Sequence, residues 1–147
     1  MRTFVVLIAI LAAPAIMKTA GLHEQSAPPA CENMEYEDRN QFEYDPLKVG
    51  RVRGTALDPD GVRVPGACIG VFSEPDHQLV SSVQTDGEGR FEFPEVPKGN
   101  YRLVSSFPGF CPANARIRVE PKKQNRKSLL LRLELPNIDG CSYFELK

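Results

Sequence analysis

Four cysteines, two histidines and two acidic turns are the residues of this 147-residue chain whose types suit them to chemistry. The cysteines are Cys31, Cys68, Cys111 and Cys141. None forms a C-x-x-C pair, and neither histidine stands at metal-ligand spacing from them, so a zinc site is not indicated. An even number of cysteines suits two disulfides in an oxidising compartment better than four free thiols. Three pairings are open, and spacing does not choose among them. His23 and His77 have no partner at motif spacing, and neither G-x-S-x-G nor H-E-x-x-H occurs, so nucleophile-elbow hydrolases and zincins lack their signatures. Asp58, Asp60, Asp86 and Glu88 could converge on calcium at one end of a sandwich, but no loop has EF-hand spacing. Capping of turns explains them more simply. The chemistry-bearing residues thus predict no catalytic site, no cofactor and no metal.

The elements that hold these residues begin after a leader. Arg2 precedes an uninterrupted apolar run, Phe4 to Ala13, followed by the small residues Ala13-Pro14-Ala15 and Thr19-Ala20-Gly21. That is the pattern of a secretory signal peptide, assigned to residues 1–20. The run is too short for a membrane span of about 20 residues, so no transmembrane anchor is expected once the leader is cleaved. Arg2 and Lys18 leave with it, moving the net charge from −1 to near −3. So mild a charge argues against a nucleic-acid or anionic-membrane partner.

Residues 21–47 read as an irregular acidic arm with Glu32, Glu35, Glu37, Asp38, Glu43 and Asp45, stiffened by Pro28-Pro29, with a helical turn expected around Asn33–Arg39. From Val49 the period becomes two, the mark of half-buried strands. Val52, Gly54 and Ala56 share a face, as do Ala67, Ile69 and Val71; Phe91 and Phe93; Tyr101, Leu103 and Ser105; Ala115, Ile117 and Val119; and Leu129, Leu131, Leu133 and Leu135. Leu79 to Thr85 alternates weakly, as an edge strand does. Asp58-Pro59-Asp60-Gly61 and Asp86-Gly87-Glu88-Gly89 are turns in which the acid bonds the backbone and the glycine supplies positive φ. Seven short strands over residues 48–135 predict an all-β, antiparallel Greek-key sandwich. Residues 136–147 are expected to pack back on it as a tail through Tyr143 and Phe144.

The set Gly50-x-Val52-x-Gly54, Asp60-Gly61, Val64-Pro65-Gly66-Ala67-x-Ile69-x-Val71, Thr85-Asp86-x-x-Gly89-x-Phe91, Val96-Pro97-x-Gly99-x-Tyr101-x-Leu103 and Pro108-Gly109-Phe110 resembles a carboxypeptidase regulatory-like domain. That family has a transthyretin-like (prealbumin-type) sandwich related to CnaB-type repeats. The resemblance implies a seven-stranded Greek key and a non-catalytic spacer or docking role. Each matched residue also has a structural reason: turn chemistry for Gly61, Pro65, Gly66, Asp86, Gly89 and Gly99, packing for Gly54, Ala67 and Phe91, and a buried ring with a backbone-bonded hydroxyl for Tyr101. The transthyretin fold also hosts hydroxyisourate hydrolase, whose histidines and Tyr-Arg-Gly-Ser end are not matched by Tyr143-Phe144-Glu145-Leu146-Lys147. A CnaB-type Lys–Asn isopeptide lacks its residues too, because Lys48 stands at the edge of the first strand and Asn137 follows Pro136.

The candidate binding surface consists of Tyr36, Phe42 and Tyr44 in the arm and Arg116 and Arg118 within a basic group that continues through Lys122, Lys123, Arg126, Lys127 and Arg132. A solvated hairpin face is the simplest reading of that basic group, and docking of the acidic arm upon it the next. The arm aromatics are read as anchors to the sheet, or alternatively as a glycan platform. The sequence thus predicts a secreted or periplasmic monomer that binds a protein of the envelope or exterior, with carbohydrate binding as the alternative. Because Cys68 faces away from Ala67, Ile69 and Val71, the returning tail could reach it; the expected pairing is therefore Cys68 with Cys141 and Cys31 with Cys111.

Overall fold

The computed structural model describes residues 31–36, 45–121, 126–136 and 140–147. The expected leader, His23, Phe42, Tyr44, Lys122, Lys123, Asn137 and residues 37–39 of the expected helical turn lie outside them. Within Cys31–Tyr36 the chain makes a tight turn, with the Met34 amide donating to the Cys31 carbonyl at 3.4 Å, and no helix.

Among the described residues nine strands form: β1 (Leu47–Val49), β2 (Arg53–Leu57), β3 (Cys68–Ser73), β4 (Leu79–Gln84), β5 (Arg90–Glu92), β6 (Gly99–Ser106), β7 (Ala113–Val119), β8 (Leu129–Arg132) and β9 (Tyr143–Leu146). They make a sheet ordered β1-β7-β6-β3-β4 and a second ordered β5-β2-β8-β9. The all-β sandwich stands, with two corrections. The described residues hold nine strands, not seven, because Leu47–Val49 and Tyr143–Leu146 are too short to show alternation and pair at the sheet margins. The pairing is also not wholly antiparallel: β1 runs parallel to β7 and β2 parallel to β8. Such pairs need long connections rather than tight hairpins, which period-two patterns do not reveal.

The two inner faces meet in one core containing Val52, Ala56, Ile69, Val71, Phe91, Leu103, Ile117, Leu129, Leu131 and Phe144, all buried. Phe91 lies opposite Gly54 in the β2–β5 register. A Cβ at Gly54 would collide with the Leu129 carbonyl oxygen and approach the Phe91 Cζ to 2.7 Å. The glycine is therefore required by the closeness of β8 and of the ring above it.

Candidate functional site

The turns show what the acidic side chains do. One Asp86 carboxylate oxygen accepts the amides of Glu88 and Arg90, each at 2.9 Å. The turn closes with Gly89 at φ +69°, and the Gly89 carbonyl receives the Ala56 amide at 2.8 Å. The Arg90 amide first, then the Glu88 amide and the nearby Arg90 and Arg63 guanidinium groups, hold the Asp86 carboxyl below its usual range. Asp58 caps its own turn by accepting the Val62 amide at 2.7 Å. Asp76 accepts the Ser73 hydroxyl and the Gln78 amide; the hydroxyl contributes most to lowering its pKa. Hydroxyl groups are used in the same way. Thr85 Oγ1 bridges the Val64 carbonyl and the Ala67 amide, both at 2.8 Å. Ser105 Oγ accepts the Ala113 amide at 3.1 Å, and the Tyr101 hydroxyl donates to the Pro97 carbonyl at 2.9 Å.

The outer face of the five-stranded sheet carries a third layer. Phe72 and Val104 point away from the core yet are buried, each 1% exposed. Segment 31–36 lies over this face. Cys31 is bonded to Cys68 on β3, with Cα atoms 5.4 Å apart. The Met34 sulfur lies 3.2 Å from where a Gly70 Cβ would stand. The Tyr36 ring meets Phe72 edge-on at 5.6 Å between centroids and stacks on His77 at 3.8 Å. Tyr36, the described member of the arm aromatics, thus has its ring packed against the sheet and the β3–β4 turn.

The second disulfide joins Cys111 to Cys141, also with Cα atoms 5.4 Å apart. This corrects the pairing expected from the sequence. Cys68 lies on the outer face of the five-stranded sheet, whereas Cys141 leads into β9 of the other, so the sandwich stands between them. Cys111, in the β6–β7 loop, reaches the other sheet, where its amide donates to the Glu134 carbonyl at 2.9 Å.

The basic group is also divided. β7 and β8 belong to different sheets, so no basic hairpin exists. Arg116 Nε donates to Glu74 Oε1 at 3.0 Å, and Arg118 Nε to Asn100 Oδ1 at 3.0 Å, on one outer face. Arg132 pairs with Glu145 at 3.3 Å on the opposite face. A residue not singled out from the sequence sits beside the first group: Arg102, 9% exposed, places Nε 3.3 Å from the same Glu74 oxygen. That is an ion-pair distance without hydrogen-bond geometry, and its Nε and Nη1 have no hydrogen-bond partner among the described residues. The arginine set within the run Tyr101-Arg102-Leu103-Val104 was the signal that could have found it.

Two open clefts lie on the surface of the described residues. One of about 530 Å³ is walled by Phe93, Pro94, Val96, Pro97 and Pro121, with Arg51 and Glu95 as its charged groups. The other, of about 450 Å³, borders Arg53, Thr55, Asp86, Arg90 and Glu92, where Asp86 is already bonded to its turn. Among the described residues no three His, Cys, Asp or Glu side chains gather to hold a metal, and no helix is long and apolar enough to cross a membrane.

A search of curated proteins finds no match. Among solved structures, the chain is similar to sea bream transthyretin in complex with thyroxine, at 16% identity over 66% of this chain and 94% of that one, with a TM-score of 0.49. It is also similar to the 5-hydroxyisourate hydrolase of Klebsiella pneumoniae, at 12% identity over 69% and 94% of the two chains, with a TM-score of 0.45. No functional statement follows from likenesses this distant. The family model described as carboxypeptidase regulatory-like domain matches residues 51–132, from just before β2 to the end of β8, and the chain belongs to that family.

Proposed function

We propose that this protein is an exported, non-catalytic β-sandwich module that serves as a structural or protein-docking unit. The observation that carries the reading is how its reactive side chains are used. Asp58, Asp76, Asp86 and Tyr101 are each bonded to backbone groups of their own turns and loops, and Thr85 and Ser105 to backbone groups of neighbouring segments. All four cysteines are in disulfides, and the His77 imidazole is stacked on Tyr36. A general base must have a lone pair free to meet a substrate proton, and an activated nucleophile must have a base beside it. Each of these groups has a hydrogen bond, a disulfide or a ring contact committed to the fold. Two disulfides support an oxidising compartment and hence export.

Proximity cross-linking in the native medium or envelope, with a C-terminally tagged chain and mass-spectrometric readout, tests the reading. One reproducible protein partner is expected. Recovery of the chain alone, or with glycan only, would overturn the docking role.

A further inference from the structure

The four sheet edges are not alike. β1 is three residues long and carries the exposed Lys48. β5 is also three residues, with Arg90 and Glu92 both exposed and ion-paired to Glu88 and Arg51. β9 carries Glu145, paired to Arg132, and ends beside Lys147. Short length and charge are the means by which edges are kept from pairing with other chains. β4 has neither. Its six residues, Leu79-Val80-Ser81-Ser82-Val83-Gln84, include no charge and no proline, and Val80 is 47% exposed. Beyond its pairing with β3, no described residue bonds the backbone of Leu79–Val83.

We infer that β4 is an association edge and that its occupant is the β4 strand of a second copy of this chain, paired antiparallel about a two-fold axis. The absence of charge selects this occupant. At a two-fold axis a strand meets itself, so a charged residue near the centre would face its own like charge. Directly opposed residues also point to the same side of the joined sheet, which places the axis at a residue, Ser81 or Ser82, rather than between them. Both are small and let the strands close. The pairing would join two five-stranded sheets into one continuous sheet and cover Val80. An edge of six residues is less than a standard interface, so the dimer is reversible. The inference stands apart from the docking role above and differs from the monomer expected from the sequence.

Sedimentation equilibrium of the full chain with both disulfides formed tests it, over about 10 µM to about 1 mM, the range in which small interfaces assemble. The weight-average mass should rise towards twice the monomer's. Hydrogen exchange should slow at the amides of Leu79–Val83 as concentration rises. Ser82→Lys and Val80→Lys should each weaken association at least about tenfold, Ser82→Lys by bringing like charges face to face or diagonally across the axis and Val80→Lys by placing a charge on the pairing edge, while Val62→Lys, at an exposed turn valine, leaves it unchanged. Far-UV circular dichroism of each variant verifies that it folds. A wild-type chain that stays monomeric throughout, or a dimer that tolerates both lysines, or one whose protection lies elsewhere, overturns the inference.

Discussion

Glu74 serves two arginines, and the asymmetry of that arrangement is testable. Its carboxylate accepts Arg116 and neutralises Arg102, whose side chain is only 11% exposed. Removing the acid leaves a buried guanidinium uncompensated, whereas replacing the guanidinium by an apolar chain removes the need for compensation. Glu74→Ala should therefore cost about 2–4 kcal/mol in urea unfolding, and Arg102→Met less than about 1 kcal/mol. Equal losses would mean that the pair is not the source of the cost. Gly54→Ala should be worse than its single methyl suggests, by about 3 kcal/mol or more, because the obstruction is the β8 backbone, which cannot rotate away. The two cases differ in how far the sequence revealed them. Gly54, Asp86 and Gly89 were legible, since turn chemistry and strand alternation are local. The Glu74–Arg116 contact joins residues 42 apart, and nothing in either neighbourhood announces the other.

At the scale of elements, the alternation that predicted the inner strands also governs β9, one of the two it missed. β9 is four residues long and follows a proline-bounded tail, so it offered too few positions for a period to show. Once paired to β8, with Leu131 opposite Phe144 and Arg132 opposite Tyr143, it obeys the same rule. Phe144 faces inward at 7% exposure and Tyr143 outward at 44%. Phe144→Ala should cost about 3–5 kcal/mol, the usual loss for a buried phenylalanine, and Tyr143→Ala well under about 1 kcal/mol. Denaturant midpoints decide between this and a tail that merely rests on the sheet, for which the two substitutions would cost alike. β1 was hidden for a similar reason, three residues paired in parallel to a strand far along the chain.

For the molecule as a whole, the two disulfides have separate tasks. Cys31–Cys68 ties the covering segment to the outer face of one sheet, and Cys111–Cys141 ties the loop of that sheet to the approach of β9 in the other. That cysteines would pair was legible from their number; which ones pair was not, because it depends on which sheet each strand enters. With sequence separations of 37 and 30 residues, each bond should contribute about 3–4 kcal/mol by restricting the unfolded chain. Replacing each pair by serines, one pair at a time, should lower the urea midpoint by similar amounts. Peptide mapping without reduction should recover Cys31 with Cys68 and Cys111 with Cys141.

Acid stability belongs to the same scale, since two turns at different places respond to pH in the same direction. Asp76 and Asp86 both have folded pKa values below the ordinary 3.8, from the Ser73 hydroxyl in the first case and the Arg90 amide in the second. As pH falls, the unfolded chain takes up protons on these groups before the folded chain does, so proton binding favours unfolding. Their contribution is therefore fully present above about pH 5 and declines as pH drops through about 3.8 towards the lower folded values. Both side chains lie in exposed turns, so salt and solvent temper the effect without reversing its sign. The urea midpoint should be level from about pH 7 to about pH 5 and fall below about pH 4. An Asp76→Asn, Asp86→Asn double variant, which cannot titrate there, should start lower at neutral pH and decline less steeply in acid. If the variant kept the wild-type acid slope, the decline would have to arise from carboxylates other than these two.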